Sequence, residues 1–266
     1  MKKVLIVVGI FFGLFIGGIL FIYLQIPSEE KIKGCLTTNM YSVELCPTHK
    51  NYVSLKNISS LLQKTIVLTE DSAFYTHNGF DSEGIENCIE KIKEKKRLVC
   101  GGSTITQQLA KNMFLSKDKT FYRKGMEALI TMKLEKTLSK KEILEKYLNI
   151  IQFGKDIYGI KRASQFYFKK NPSQLDALES AFLAMILPSP ERYSKSYFKK
   201  DLTTFARRRI SHIITDLFKY KIIPEEEYVT AQAQLENFLK DMPETLVNSS
   251  TESATSSEEL SLDNVE

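Results

Sequence analysis

The chain has 266 residues, of which 43% are hydrophobic and 26% charged, with a formal net charge of +5. That leaves room for one domain of ordinary size with attachments, and enough apolar material for a core. Three histidines, with no CxxC or HExxH spacing, argue against a protein-built zinc site.

After Met1, Lys2 and Lys3, residues 4–24 carry no charge. A helix of that length rises about 31 Å, the hydrocarbon thickness of a bilayer. A cleavable signal peptide has a shorter apolar core, about 7–15 residues, and a small-x-small cleavage site. This run leaves instead through "YLQIPSEE", so residues 1–26 are expected to be a retained transmembrane anchor. Lys2 and Lys3 favour a cytoplasmic N-terminus, with the rest of the chain outside the cytoplasm. Gly9, Gly13 and Gly17 have the small-xxx-small spacing that packs partner helices. Cys35, Cys46, Cys88 and Cys100 would lie in that outer compartment. Of their three possible pairings, the sequence-local one is expected: Cys35 with Cys46, and Cys88 with Cys100.

Residues 27–52, with Pro27, Gly34 and Pro47, read as a juxtamembrane connector. Residues 53–243 read as one helical domain with no sustained strand-like alternation. Ile58, Leu61, Leu62, Ile66 and Leu68 predict a helix that runs through Glu70 and ends at Asn78-Gly79. Residues 84–98, rich in Lys and Glu, read as a solvated helix or loop. Thr104 and Gln107 have capping-box spacing, so a helix should begin within "GGSTITQQLAKN". Further helices are predicted through "FYRKGMEALITMKLEKTL", from Ser139 (boxed with Glu142), and through "LDALESAFLAMIL" up to Pro188 and Pro190. Two more follow, over about 201–220 and 224–239. The acidic tail 244–266, rich in Ser and Thr, is expected to be disordered. It leaves the middle of the chain more basic than the total, which suits an anionic partner. Nucleic acid, anionic lipid and phosphorylated substrates are such partners, and a domain outside the cytoplasm sets nucleic acid aside.

Four polar groupings stand out. In "TEDSAFYTHNGF" a helix would put Glu70, Phe74 and His77 on one face, with Asp71 beside the glutamate; surface charge at a helix end is the alternative. In "GGSTITQQLAKN" the glycines leave helix-start N–H groups for a phosphate, with Thr104, Gln107 or Gln108, and Lys111 on one face. A capped amphipathic helix explains the same cap, and both readings stay open. In "RKGME", Arg123 and Glu127 are i, i+4 neighbours, with Lys124 three residues from Glu127. As a surface pair that spacing contributes only about a few tenths of a kcal/mol. "KKEILEKYLN", with Tyr147 and Asn149, is by itself an ordinary amphipathic helix.

Together these motifs carry a resemblance. "ED..F..H.G" at Glu70 to Gly79, "G.ST..QQ" at Gly101 to Gln108, "RK..E" at Arg123 to Glu127 and "K..IL..Y.N" at Lys140 to Asn149 occur in order. The set resembles the peptidoglycan glycosyltransferases, which polymerise lipid II and form one half of large penicillin-binding proteins. "R...II" at Arg209 to Ile214 is similar to a fifth family motif in looser form, and the match covers about 55–215. Ser116-x-x-Lys119 and Ser196-x-x-Lys199 match the transpeptidase nucleophile motif only in letters, since no KTG follows. "ILPSPERY" is similar to monofunctional biosynthetic transglycosylases of Gram-negative bacteria, which implies a periplasmic domain on the inner membrane.

The resemblance implies a mainly α, lysozyme-like domain with a small membrane-proximal lobe at about 80–100, preceded by one transmembrane helix. It implies inverting transfer of a glycan from undecaprenyl diphosphate to the 4-hydroxyl of an incoming lipid II. In that reaction Glu70 is the candidate general base and Glu127 the second catalytic glutamate, either holding a divalent ion at the pyrophosphate or orienting the basic residues beside it. Lys111, Arg123 and Lys124 form a diphosphate clamp. Ser103, Thr104, Gln107, Gln108 and Asn112 bind sugar or phosphate oxygens. Asp71, Phe74, His77, Gly79, Tyr147 and Asn149 belong to the motif frame. No metal ligand set is expected; Mg²⁺ or Mn²⁺ at the pyrophosphate fits the chemistry without being required. Implied partners are lipid II, the growing glycan, inner-membrane lipid and other cell-wall synthesis proteins. A lysozyme-like lytic enzyme and a non-catalytic scaffold are the rival readings.

Overall fold

The computed structural model describes residues 2–96 and 102–240; Cys100 and the tail 244–266 lie outside the described residues. Thirteen helices run in order: α1 (Lys2–Gln25), α2 (Glu29–Lys33), α3 (Ser60–Glu70), α4 (Ser82–Lys95), α5 (Ile105–Phe114), α6 (Phe121–Thr137) and α7 (Lys140–Ile150). They continue as α8 (Ile160–Phe168), α9 (Ala177–Ile186), α10 (Pro190–Tyr193), α11 (Lys195–Phe198), α12 (Thr204–Lys219) and α13 (Glu225–Gln234) among the described residues. The fold is mainly α, as expected.

The core is organised by α9. All ten of its residues are buried, which is what an almost wholly apolar helix requires in water. It packs between α3 and α12, while α5 lies against α6 and α7. Sequence-local caps start these helices. Thr104 and Gln107 form a capping box on α5, Ser139 and Glu142 on α7, and Asp176 and Glu179 on α9.

The α1 helix is long and apolar enough to cross a membrane, and Phe11, Phe12, Leu14, Phe15 and Leu24 along it are exposed. Its C-terminal residue is tied to α6, where Gln25 Nε2 donates to the Tyr122 hydroxyl at 2.8 Å, and α2 is tied to α6 by the Lys133–Glu29 pair at 2.7 Å. Residues 27–52 fold onto the domain. Ile32 and Leu45 are fully buried, and Cys35 is joined to Cys46 by a disulfide. The partner expected for Cys88 lies outside the described residues.

Among the described residues, four short strands depart from the all-helical expectation. Leu36–Thr37 pairs with Glu44–Leu45, and Gln152–Gly154 with Ile157–Tyr158, both antiparallel. Strands of two or three residues are too short to show period-2 alternation. Between α3 and α5, α4 is capped by Asp81, whose carboxylate accepts from the Gly84 N–H at 2.9 Å. Its Ile85 and Ile89 are exposed, so this charged helix carries an apolar side.

Candidate active site

Glu70 is the last residue of α3, and the chain leaves the helix at Asp71 (φ −162°, ψ 72°). The predicted continuation to Asn78-Gly79 is therefore incorrect, and so is the shared helical face of Glu70, Phe74 and His77. The physical reason lies in α5. Asp71 Oδ2 accepts from the Ile105 backbone N–H at 2.9 Å, and Oδ1 lies 2.8 Å from His77 Nε2. The Gly79 N–H donates to His77 Nδ1 at 3.0 Å, so Nε2 carries the ring proton and donates to Asp71. Thr104 Oγ1 closes the loop by donating to the Gly79 carbonyl at 2.8 Å. Phe74 is fully buried beneath, with Lys140 Nζ 4.7 Å from its ring centre.

The start of α5 thus meets a carboxylate of its own chain. Asp71 occupies the position that the phosphate reading reserved for a ligand, and the capped-helix reading describes this helix. Thr104 and Gln107 are buried and bonded to each other through the cap, at 3.0 and 3.2 Å. Asn112 is also buried. Thr104 lines the cleft that holds Glu70, whereas Gln107 and Asn112 do not.

Gly79 has φ +92°, and a Cβ there would meet Thr131 Cγ2 at 2.7 Å. Gly79→Ala should therefore lower stability by about 1–3 kcal/mol, from backbone strain and a displaced α6 side chain. A denaturation midpoint equal to that of the parent protein would contradict this.

Glu70 faces a cleft bounded by the end of α3, the start of α4 and the start of α5, with Ser72, Asp81, Ile85 and Ser103 in its walls. Burial raises the Glu70 pKa; a hydrogen bond from Gln108 and the charge of Arg209 oppose that rise, and Asp71 adds slightly to it. Gln108 Nε2 donates to Glu70 Oε2 at 3.0 Å, and the buried Tyr147 hydroxyl donates to Gln108 Oε1 at 3.1 Å. Gln108 is thus held between the glutamate and Tyr147. Asn149, on the opposite side of α7, clamps Val53 through both its N–H and its carbonyl at 2.8 Å.

Glu127 is 2% exposed. Arg123 Nη1 donates to its Oε2 at 2.6 Å, and Lys124 Nζ donates to its Oε1. Each carboxylate oxygen already faces a cation, a poor setting for Mg²⁺ or Mn²⁺. Among the described residues no group of three His, Cys, Asp or Glu could hold a metal. Burial lowers the pKa of Lys111 and Glu127 raises it. Lys111, Arg123 and Glu127 do not line the Glu70 cleft itself. Ser103 joins the two parts: it lines the cleft, and its Oγ accepts from Lys124 Nζ at 3.4 Å.

Arg209 is a member of the site that the sequence reading did not assign. It stands on α12, which packs on α3, and its charge reaches Glu70. Its only sequence signal was its place in "R...II".

The site is a glutamate that burial holds above its ordinary proton affinity, with Arg209 acting on it and a cleft wall, Ser103, that reaches Lys124. The chain belongs to the transglycosylase family, whose model matches residues 38–217. Over 163 residues it is 44% identical to the biosynthetic peptidoglycan transglycosylase of Aromatoleum aromaticum, covering 61% of this chain and 70% of the relative. The protein of that name from Thiobacillus denitrificans is 48% identical over 145 residues, 54% of this chain and 62% of the relative. The Acinetobacter baumannii protein is 38% identical over 188 residues, 68% of this chain and 84% of the relative.

Proposed function

We propose that this chain is a peptidoglycan glycosyltransferase that polymerises lipid II into β-1,4-linked glycan and releases undecaprenyl diphosphate. One observation carries the reading: Ser103 lines the Glu70 cleft and is hydrogen-bonded to Lys124, so a base and a cation cluster adjoin. The 4-hydroxyl oxygen of the acceptor sugar attacks C1 of the donor, and Glu70 takes the hydroxyl proton. The C1–O bond breaks with its electron pair going to the diphosphate. Lys111, Arg123 and Lys124 stabilise that growing charge. Attack opposite the leaving group converts an α-diphosphate into a β-linkage. Glu127 serves here by holding Arg123 and Lys124 in place.

In this reading α1 anchors residues 53–243, the catalytic domain, to the inner membrane through the connector 27–52. Lys2 and Lys3 stay on the cytoplasmic side, with the domain in the periplasm. The chain catalyses no transpeptidation, and other cell-wall synthesis proteins are its protein partners. Incubation with lipid II should give polymer that a β-1,4-specific muramidase digests, together with free undecaprenyl diphosphate. Diphosphate release without polymer would overturn the proposal.

A further inference from the structure

The chain Tyr147–Gln108–Glu70 crosses three helices, α7, α5 and α3, and ends on the carboxyl group that faces the cleft. Tyr147 is fully buried, and burial together with the nearby Glu70 keeps its hydroxyl protonated and able to donate. A primary amide has one accepting and one donating end. With Tyr147 donating to Oε1, the Gln108 Nε2 end is turned towards Glu70.

We propose that Tyr147 is a positioning residue for the reaction: through the Gln108 amide its hydroxyl fixes the orientation and the proton affinity of the Glu70 carboxyl. This rests on Glu70 being the base. Before transfer, Gln108 Nε2 donates to the carboxylate and favours its charged form. After Glu70 takes the acceptor's proton, the same Gln108 N–H faces a neutral carboxyl, a weaker acceptor, so the contact favours the charged form. The Tyr147 hydroxyl, buried with Gln108 Oε1 as its acceptor, holds the amide in this orientation, because turning it over would leave that hydroxyl unmet. The charged groups acting on Glu70 are Arg209 from α12 and Asp71 from the adjoining loop, and Asp81 lines the same cleft from the start of α4. Asp71 is engaged by His77 and the Ile105 N–H, so Gln108 is the neutral side chain that holds the Glu70 carboxyl.

Tyr147→Phe removes only the hydroxyl, and the test is the pH profile of kcat for lipid II polymerisation by the full-length protein. Loss of the fixed amide donor should move the acidic limb upward by about one pH unit, a tenfold change in proton affinity. At pH values below both limbs kcat should be about tenfold lower than in the parent, converging on the parent value at high pH, with KM unchanged. Gln108→Met, which keeps the side-chain length but has no amide, should move the limb in the same direction. It serves as the readout if the tyrosine variant does not fold. Wild-type limbs in a folded variant would overturn the proposal, as would a fall in activity arising from KM alone. Glu70→Gln separates this from the base assignment. If it is inactive while Tyr147→Phe keeps the wild-type limb, only the relay fails; if it stays active, the base assignment fails first.

Discussion

Glu70→Gln is expected to reduce lipid II polymerisation by at least about 10²–10⁴-fold, the usual contribution of a general base. The fold should survive, because the amide keeps the shape of the carboxylate and can still bond Gln108. Stability should move in the opposite direction from activity. Burial raises the folded-state pKa of Glu70 above its ordinary value. Between those two values the folded protein binds more protons than the unfolded chain. Its stability therefore falls as pH rises through that window, and at neutral pH the carboxylate is a net cost. Glutamine removes the cost, so the variant should melt at a higher temperature than the parent at pH 7 and gain less at pH 4. Retained polymerisation would remove the base assignment; a lower melting temperature at pH 7 would contradict the burial account.

Glu127→Ala should have the largest structural effect. Glu127 is buried beneath Arg123 and Lys124 and bonded to both. Removing it leaves the shielded guanidinium of Arg123 without a counter-charge, beside Lys111. Losing one partner of a buried pair costs about 3–5 kcal/mol. Most of that should come from Arg123, since the Lys124 side chain is half exposed and its pair is screened by solvent. Polymerisation should fall with it, because the repelled cations no longer hold their positions beside Ser103. Chemical denaturation checks the first effect and turnover of lipid II the second. An unchanged denaturation midpoint would show that the cation cluster does not depend on Glu127.

Features with local causes were legible in the sequence. The starts of α5 and α7 are written in Thr104 with Gln107 and Ser139 with Glu142, and each pair lies within one helical turn. The Cys35–Cys46 disulfide closes a short loop, and α9 announces itself by its apolar run. The end of α3 was not legible, because what stops it is distant: Asp71 leaves the helix to meet the N–H of Ile105, 34 residues later. The role of Gln108 was hidden for the same reason, its partner Glu70 lying 38 residues earlier. Periodicity put Glu70, Phe74 and His77 on one helical face; tertiary bonds put one at the cleft, one in the core and one on Asp71. Arg209 became a neighbour of Glu70 only through the packing of α12 on α3.

The central claim is that this site builds glycan from a lipid-linked donor. It is tested most directly by giving the purified full-length protein lipid II in one reaction and finished peptidoglycan in another. The expected result is glycan polymer from lipid II, absent in the Glu70→Gln variant, and no soluble fragments from the finished wall. Fragments released from the wall without any polymer from lipid II would contradict it.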